Sequence, residues 1–178
     1  MKIVFAGTTD QAARVLRHLT KSVHEIVAVI TREDAPVGRK RIMTASPVSM
    51  VAQEFNILTI KANFILPEHN EILSRLKPEL GVVIAYGALL KHNTLELPKY
   101  GWYNIHYSLL PKYRGAAPVQ HALISGEKTT GVTIFKLDDG MDTGPVASQV
   151  TTEIFPDENS ADLLDRLTSL GISALDEV

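Results

Sequence analysis

Asn104 and His106 stand two residues apart in an apolar run, Trp102 to Tyr107, that reads as a strand. Side chains at that spacing share one face of the strand, so an amide and an imidazole lie side by side. Acyl transfer to an amine needs such a pair. The amide N–H can stabilise a developing oxyanion. A neutral imidazole can take a proton from the attacking ammonium, or move it later. A lone histidine at a strand end is usually a hydrogen-bonded structural residue, and it is the neighbours that set this one apart. A proline-bounded loop, Ser108-Leu109-Leu110-Pro111, follows it, and then comes an Arg114-Gly115 step. Further on, Asp138 to Gly144 (DDGMDTG) is a loop rich in acid and glycine. Its Asp142 could hold the imidazole tautomer.

Other chemistries fit the chain poorly. Gly7 is a single glycine after the first strand, where a dinucleotide site wants three in a fixed pattern, and there is no Walker sequence. The histidines (His18, His24, His69, His92, His106 and His121) lack metal-ligand spacing, so no metal is expected. Ser108 does not sit on a G-x-S-x-G elbow. With no cysteine, the sequence offers no disulfide scaffold, thiolate metal site or Cys nucleophile, which fits a reducing, cytoplasmic setting. A formal charge of −2 on 178 residues exerts no global pull on nucleic acid or anionic membrane, so any polyanion contact must be local. No signal peptide or membrane span is legible.

The elements that must position these residues follow a repeating rhythm. Ile3 to Ala6 reads as a buried strand and Gly7-Thr8-Thr9-Asp10 as a turn with cap candidates. Asp10 to Ser22 reads as a helix (Ala12, Leu16, Leu19 and Val23 inward), and Glu25 to Ile30 as a second strand. Thr31 to Ala45, with the basic run Arg39-Lys40-Arg41, reads as an exposed loop. Ser46-Pro47 starts a helix, Ile57 to Ile60 is a strand, and Pro67 to Lys77 is a helix with Ile72, Leu73 and Leu76 inward. Gly81 to Tyr86 is strand-like, ending at Tyr86-Gly87. Strands are expected again at Trp102 to Tyr107, Gly131 to Leu137 and Val146 to Ile154, with helices at Pro118 to Ile124 and after Asn159-Ser160. The fold class is α/β: a Rossmann-like, open, mostly parallel (mixed) sheet with helices on both faces, one domain over residues 1–178. Ligands then bind outside the carboxyl ends of the strands, where Tyr86-Gly87, His106 and the acidic loop all belong.

Taken together, IHYSLLPKYRGAAP and TGVTIFKLDDGMDTG resemble the signature of the folate-dependent formyltransferases. The pattern N-x-H-x-S-L-L-P falls on Asn104 to Pro111, and the aspartate of D-x-G-x-D-T-G on Asp142. The likeness also takes in the opening IVFAGT, Gly38-Arg39, Ser46-Pro47-Val48 and Ala85-Tyr86-Gly87, so it runs to about Gly144. It implies the formyltransferase fold, with Asn104, His106 and Asp142 as a catalytic triad. It also implies 10-formyltetrahydrofolate as formyl donor, held by Ser108, Leu109, Leu110 and Pro111 together with Tyr86, Gly87, Asp139 and Gly140. Arg114 to Pro118 and Asp142-Thr143-Gly144 lean towards the branch that formylates methionine on initiator methionyl-tRNA for translation initiation. Arg39, Lys40 and Arg41 would then meet the acceptor stem as phosphate contacts, in a cytoplasmic monomer. Formyl transfer to a small amine (a nucleotide sugar or glycinamide ribonucleotide) and folate binding without turnover are the alternatives. In two respects the chain departs from the family. Thr9 and Gln11 replace a proline and an aromatic residue, and the family's β-rich C-terminal tRNA-binding domain is not in this chain.

Overall fold

Runs of apolar residues alternate with amphipathic stretches through the first hundred residues, and they fold much as that spacing predicts. The computed structural model describes residues 1–178, which form two compact units, 1–102 and 103–178. The first unit runs β1 (Lys2–Gly7), α1 (Asp10–Leu19), β2 (Glu25–Thr31), β3 (Ala35–Val37), β4 (Ile42–Thr44), α2 (Pro47–Glu54), β5 (Thr59–Lys61), α3 (Pro67–Leu76), β6 (Leu80–Ile84) and α4 (His92–Leu95). Its main strands lie in the order β5-β2-β1-β6, every pair parallel. Parallel strands are buried on both faces, which is why Val4, Phe5 and Ala6 in β1 and Ala28, Val29 and Ile30 in β2 are unbroken apolar runs without exposure. Thr9 and Ser46 cap α1 and α2 through their hydroxyls, accepting from the Ala12 and Ser49 amides. Gly81 is required by the core: a Cβ there would run into the buried indole of Trp102.

Three expectations change. Residues 31–45 are not an irregular loop. Ala35–Val37 and Ile42–Thr44 pair as an antiparallel hairpin, and the turn between them places Gly38 and Arg41 at positive φ. Helix α1 stops at Leu19, because Ser22 and Thr20 turn their hydroxyls back onto carbonyls of its last turn, which leaves Val23 exposed. In α3 only Leu73 is deeply buried. Ile72, one residue and about 100° away around the helix, faces out.

The second unit begins within β7 (Trp102–His106) and continues α5 (Pro118–Ile124), β8 (Thr129–Lys136), β9 (Val146–Glu153) and α6 (Ser160–Asp176). Strand β8 is antiparallel to both β7 and β9, so the sheet is mixed as expected. The register places Asn104 opposite Phe135, His106 opposite Thr133, and Thr133 opposite Gln149. These five residues therefore share one face. The alternate residues Ile105, Val132 and Ile134 form the other face, against which α6 packs. Gly171 of α6 allows this approach, since a Cβ there would lie 2.9 Å from Ile105. One side of the unit is thus a closed core, and the other is left to chemistry.

A polar clip anchors α6. Arg166 donates to both carboxylate oxygens of Glu158 (2.8 and 2.7 Å), to the Thr152 hydroxyl and to the Glu153 carbonyl, with its guanidinium over the Phe155 ring. The hydrogen bonds from Arg166 hold the Glu158 carboxyl below the usual carboxylate range. A depressed folded-state value adds stability that is complete above the ordinary carboxylate range and is lost as pH falls from there down through the lowered folded-state value. Arg166→Ala should lower unfolding free energy by about 2 kcal/mol in urea titrations at neutral pH. It should also flatten the acid limb of the stability profile. An unchanged midpoint and acid limb would show that the clip contributes nothing.

Candidate active site

The site grows from the end of β7. His106 is buried, hydrogen-bonded on one side of its ring and facing a carboxylate on the other. Nε2 lies 2.8 Å from the Tyr113 carbonyl oxygen, and Nδ1 lies 3.6 Å from Asp142 Oδ2. A carbonyl oxygen only accepts, so Nε2 is a protonated nitrogen. Nδ1 forms an ion pair with the carboxylate when it too carries a proton. The same Asp142 oxygen accepts from the Gly115 amide at 2.7 Å, which fixes the carboxylate independently of the imidazole. The His106 ring meets the buried Phe135 ring edge-on, with 6.4 Å between centroids. Asn104, half-buried, stands on the same face one pleat back. In the second unit His106 thus faces Asp142, and Asn104 shares the His106 face of β7.

The loop after β7 is held by one hydroxyl. Thr133 is fully buried. It donates to the Ser108 carbonyl (2.7 Å) and accepts from the Leu110 amide (3.1 Å) and the Gln149 side-chain amide (2.9 Å). Those three bonds use its one proton and both lone pairs. Gln149 also donates to the Leu110 carbonyl at 3.1 Å, and the Ser108 hydroxyl, itself buried, donates to the Lys112 carbonyl at 2.6 Å. Gly131 leaves room for the Leu109 side chain, which a Cβ at that position would meet. Beyond the loop, Asp138 organises the acidic turn, accepting from the Gly140 amide and the Thr143 hydroxyl. Asp142 itself has φ 52°, left-handed backbone that places its carboxylate against Gly115.

The remaining expected residues are placed as follows. Leu109 and Leu110 are half-buried, and Pro111, Asp139 and Gly140 are exposed. Ser108 turns its hydroxyl inward, so its contribution is to the loop's shape. Tyr86 does likewise within the first unit. Its phenol donates to the Ala62 carbonyl at 2.6 Å, and burial pushes its pKa up to about 12. Its ring belongs to the core, its carbonyl takes the Thr8 hydroxyl, and the neighbouring Gly87 is the exposed part of the pair. Arg39, Lys40 and Arg41 are exposed at the tip of the β3–β4 hairpin, whose Val37, Ile42 and Met43 are also at least half exposed.

Sequence reasoning passed over Thr133, Gln149, and the backbone groups of Tyr113 and Gly115. A hydroxyl in an otherwise apolar strand run, Val132 to Phe135, was the available signal for Thr133. Gln149 gives none, since an exposed glutamine on an edge strand is unremarkable.

The family described as formyl transferase matches residues 1–178. The methionyl-tRNA formyltransferase of Leifsonia xyli is 48% identical over 175 residues, 98% of this chain and 58% of that protein. The chain spans little more than half the length of the curated relatives it matches. Among solved structures, phosphoribosylglycinamide formyltransferase from Streptococcus pneumoniae aligns with a TM-score of 0.80 at 20% identity, over 99% of this chain and 95% of that one. WlaRD, a sugar 3N-formyl transferase solved in the presence of dTDP and 5-N-formyl-THF, aligns with a TM-score of 0.73 at 23% identity, covering 99% of this chain and 61% of that one. At such identities the likeness is one of fold, and it establishes the α/β, Rossmann-like class.

Thr133→Val keeps the volume and removes the hydroxyl, leaving the Leu110 amide and the Ser108 carbonyl without their partner. It should cost about 2 kcal/mol of stability and speed tryptic cleavage after Lys112, read by urea unfolding and timed digestion. Wild-type values for both would show that the hydroxyl does not hold the loop.

Proposed function

From the premise that this chain belongs to the formyl transferase family, we propose that residues 1–178 act as one catalytic domain. In this reading the domain transfers a formyl group from 10-formyltetrahydrofolate to the amino group of methionine on initiator methionyl-tRNA. The observation that carries this is the buried His106, bonded to Tyr113 and facing an Asp142 that Gly115 holds in place, with Asn104 on the same face. An amide donor, an imidazole and a carboxylate are what acyl transfer to an amine demands, so the donor set fits a formyl donor.

The folate supplies the formyl group; the chain's own residues handle charge and protons. The Asn104 amide is the donor for the negative charge that develops on the formyl oxygen as the amine attacks, which a fixed dipole stabilises without reorganising. His106 accepts the proton that the amine must lose and delivers it to the leaving nitrogen. Asp142, anchored by Gly115, holds the ring's orientation and opposes the positive charge the ring gains. Near-complete burial of His106 keeps that charge pairing out of bulk water, where it would be screened. In the second unit, Leu109, Leu110, Pro111, Asp139 and Gly140 are the groups offered to the folate, with Ser108 shaping the backbone of their loop.

The hairpin suits a nucleic-acid acceptor better than an ordinary loop would. Arg39, Lys40 and Arg41 are presented at the tip of a paired element, flanked by exposed Val37, Ile42 and Met43. Cations there contact phosphate and apolar side chains meet base or sugar faces, which gives a local polyanion site on a chain of net charge −2. The 48% identity to the Leifsonia xyli enzyme supports the same acceptor. A cytoplasmic monomer fits this reading, and no helix is long and apolar enough to cross a membrane.

His106→Ala and Asp142→Ala should each lower kcat for formylation of charged initiator tRNA at least about a hundredfold, with circular dichroism unchanged. Turnover within a few-fold of wild type in either variant would remove the triad from the mechanism. Replacing Arg39, Lys40 and Arg41 together by alanine should raise KM for the tRNA and reduce the slope of log affinity against log salt by about 2. If glycinamide ribonucleotide or a nucleotide sugar is formylated faster than the tRNA, or the triple variant keeps its KM, the acceptor assignment fails.

A further inference from the structure

Among the charged side chains that the mechanism leaves unused, Glu127 has a path to His106. It lies between α5 and β8, where its Oε1 accepts from the Tyr113 phenol (2.9 Å) and the Lys112 ammonium (2.9 Å). Those hydrogen bonds, that of Lys112 foremost, hold its carboxyl below the usual range. The Tyr113 ring also stacks on His121 of α5, nearly parallel at 5° and 6.3 Å between centroids. Both contacts hold a residue whose backbone is unfavourable, for Tyr113 has φ 57°. An aromatic residue in left-handed backbone persists where its surroundings over-determine it. Here that conformation has a use. The Tyr113 carbonyl is the group bonded to His106 Nε2, and two residues on the Gly115 amide anchors the carboxylate facing Nδ1. One short segment therefore touches His106 directly on one side and through Asp142 on the other.

We propose that Glu127 is a positioning residue for His106. Its carboxylate fixes the Tyr113 phenol, and so holds the Tyr113 carbonyl and the Gly115 amide where they orient the imidazole and its acid. The ion pair with Lys112 alone would not justify this, since exposed pairs contribute little. The phenol bond and the left-handed tyrosine do. The catalytic part of the inference rests on the formyl-transfer reading, while the geometric part does not.

The test uses the whole chain labelled with ¹⁵N, long-range proton–nitrogen spectra of the His106 ring, and steady-state transfer from 10-formyltetrahydrofolate to charged initiator tRNA. In Glu127→Ala the Nε2 resonance should move towards that of the exposed histidines. Its kcat should fall about tenfold, with KM for the formyl donor changed less than about twofold. Tyr113→Phe should reproduce both effects, and the double variant should be no slower than either single one. Glu127→Gln keeps an accepting oxygen and should recover most of the rate. A wild-type Nε2 signal and kcat in both single variants would overturn the proposal, as would losses that multiply in the double variant. If Glu127→Ala does not fold, Tyr113→Phe, which removes a single hydroxyl, decides. If the wild-type chain transfers no formyl group, the functional reading falls and the imidazole spectra alone decide the role of Glu127.

Discussion

A single buried hydroxyl underlies the arrangement of the site. Thr133 lies directly across from His106 and uses every hydrogen-bonding position it has, on Ser108, Leu110 and Gln149. Strand β7 would otherwise lead into a loop whose polar backbone groups need water. With Thr133 beneath it, the loop closes over the end of β7 and returns at Tyr113 to meet the imidazole. Such a group is costly to leave unpaired in the interior, and the same cost makes the fully bonded arrangement specific. The apolar face on the other side of the unit, packed by α6, gives the strands the rigidity on which this bonding depends.

Backbone conformation provides the second constraint. Tyr113, Gly115, Ala117 and Asp142 all lie at positive φ, three of them without glycine's tolerance. Each non-glycine residue of this kind costs on the order of 1–3 kcal/mol, and two of them, Tyr113 and Asp142, flank one histidine. Side chains hold them there: Glu127 and His121 grip Tyr113, and Asp142 is tied to Gly115. The imidazole and its acid are consequently fixed by backbone groups, an amide and a carbonyl, that no side-chain substitution can delete. The half-buried Asn104 is placed more simply, by strand register alone.

Legibility in the sequence followed the kind of force involved. Elements driven by apolar burial and local caps were readable: β1 and β2, the Ser46-Pro47 start of α2, and the Asn159 cap of α6. The hairpin at residues 35–44 was not, because Arg39 to Arg41 mark a turn without announcing the short strands on either side. Asn104 and His106 declared themselves by type and period, and Asp142 by its company in the acidic loop. Tyr86 read as a ligand contact, whereas its phenol lies in the core, since nothing local distinguishes a tyrosine facing in from one facing out. Thr133 and Glu127 act through pairings distant in sequence, and those become visible only once the strands are in register.

The account holds that the imidazole, its acid and the loop between them are set before any substrate arrives. Hydrogen exchange at the Leu110 and Gly115 amides, in the chain alone, tests this most directly. Both donate to buried or half-buried side-chain oxygens, so their protection should lie within about tenfold of that of the central β8 amides. Exchange at the rate of an unstructured chain at either amide would mean that substrate assembles the site, and the claim of a preset arrangement would be wrong.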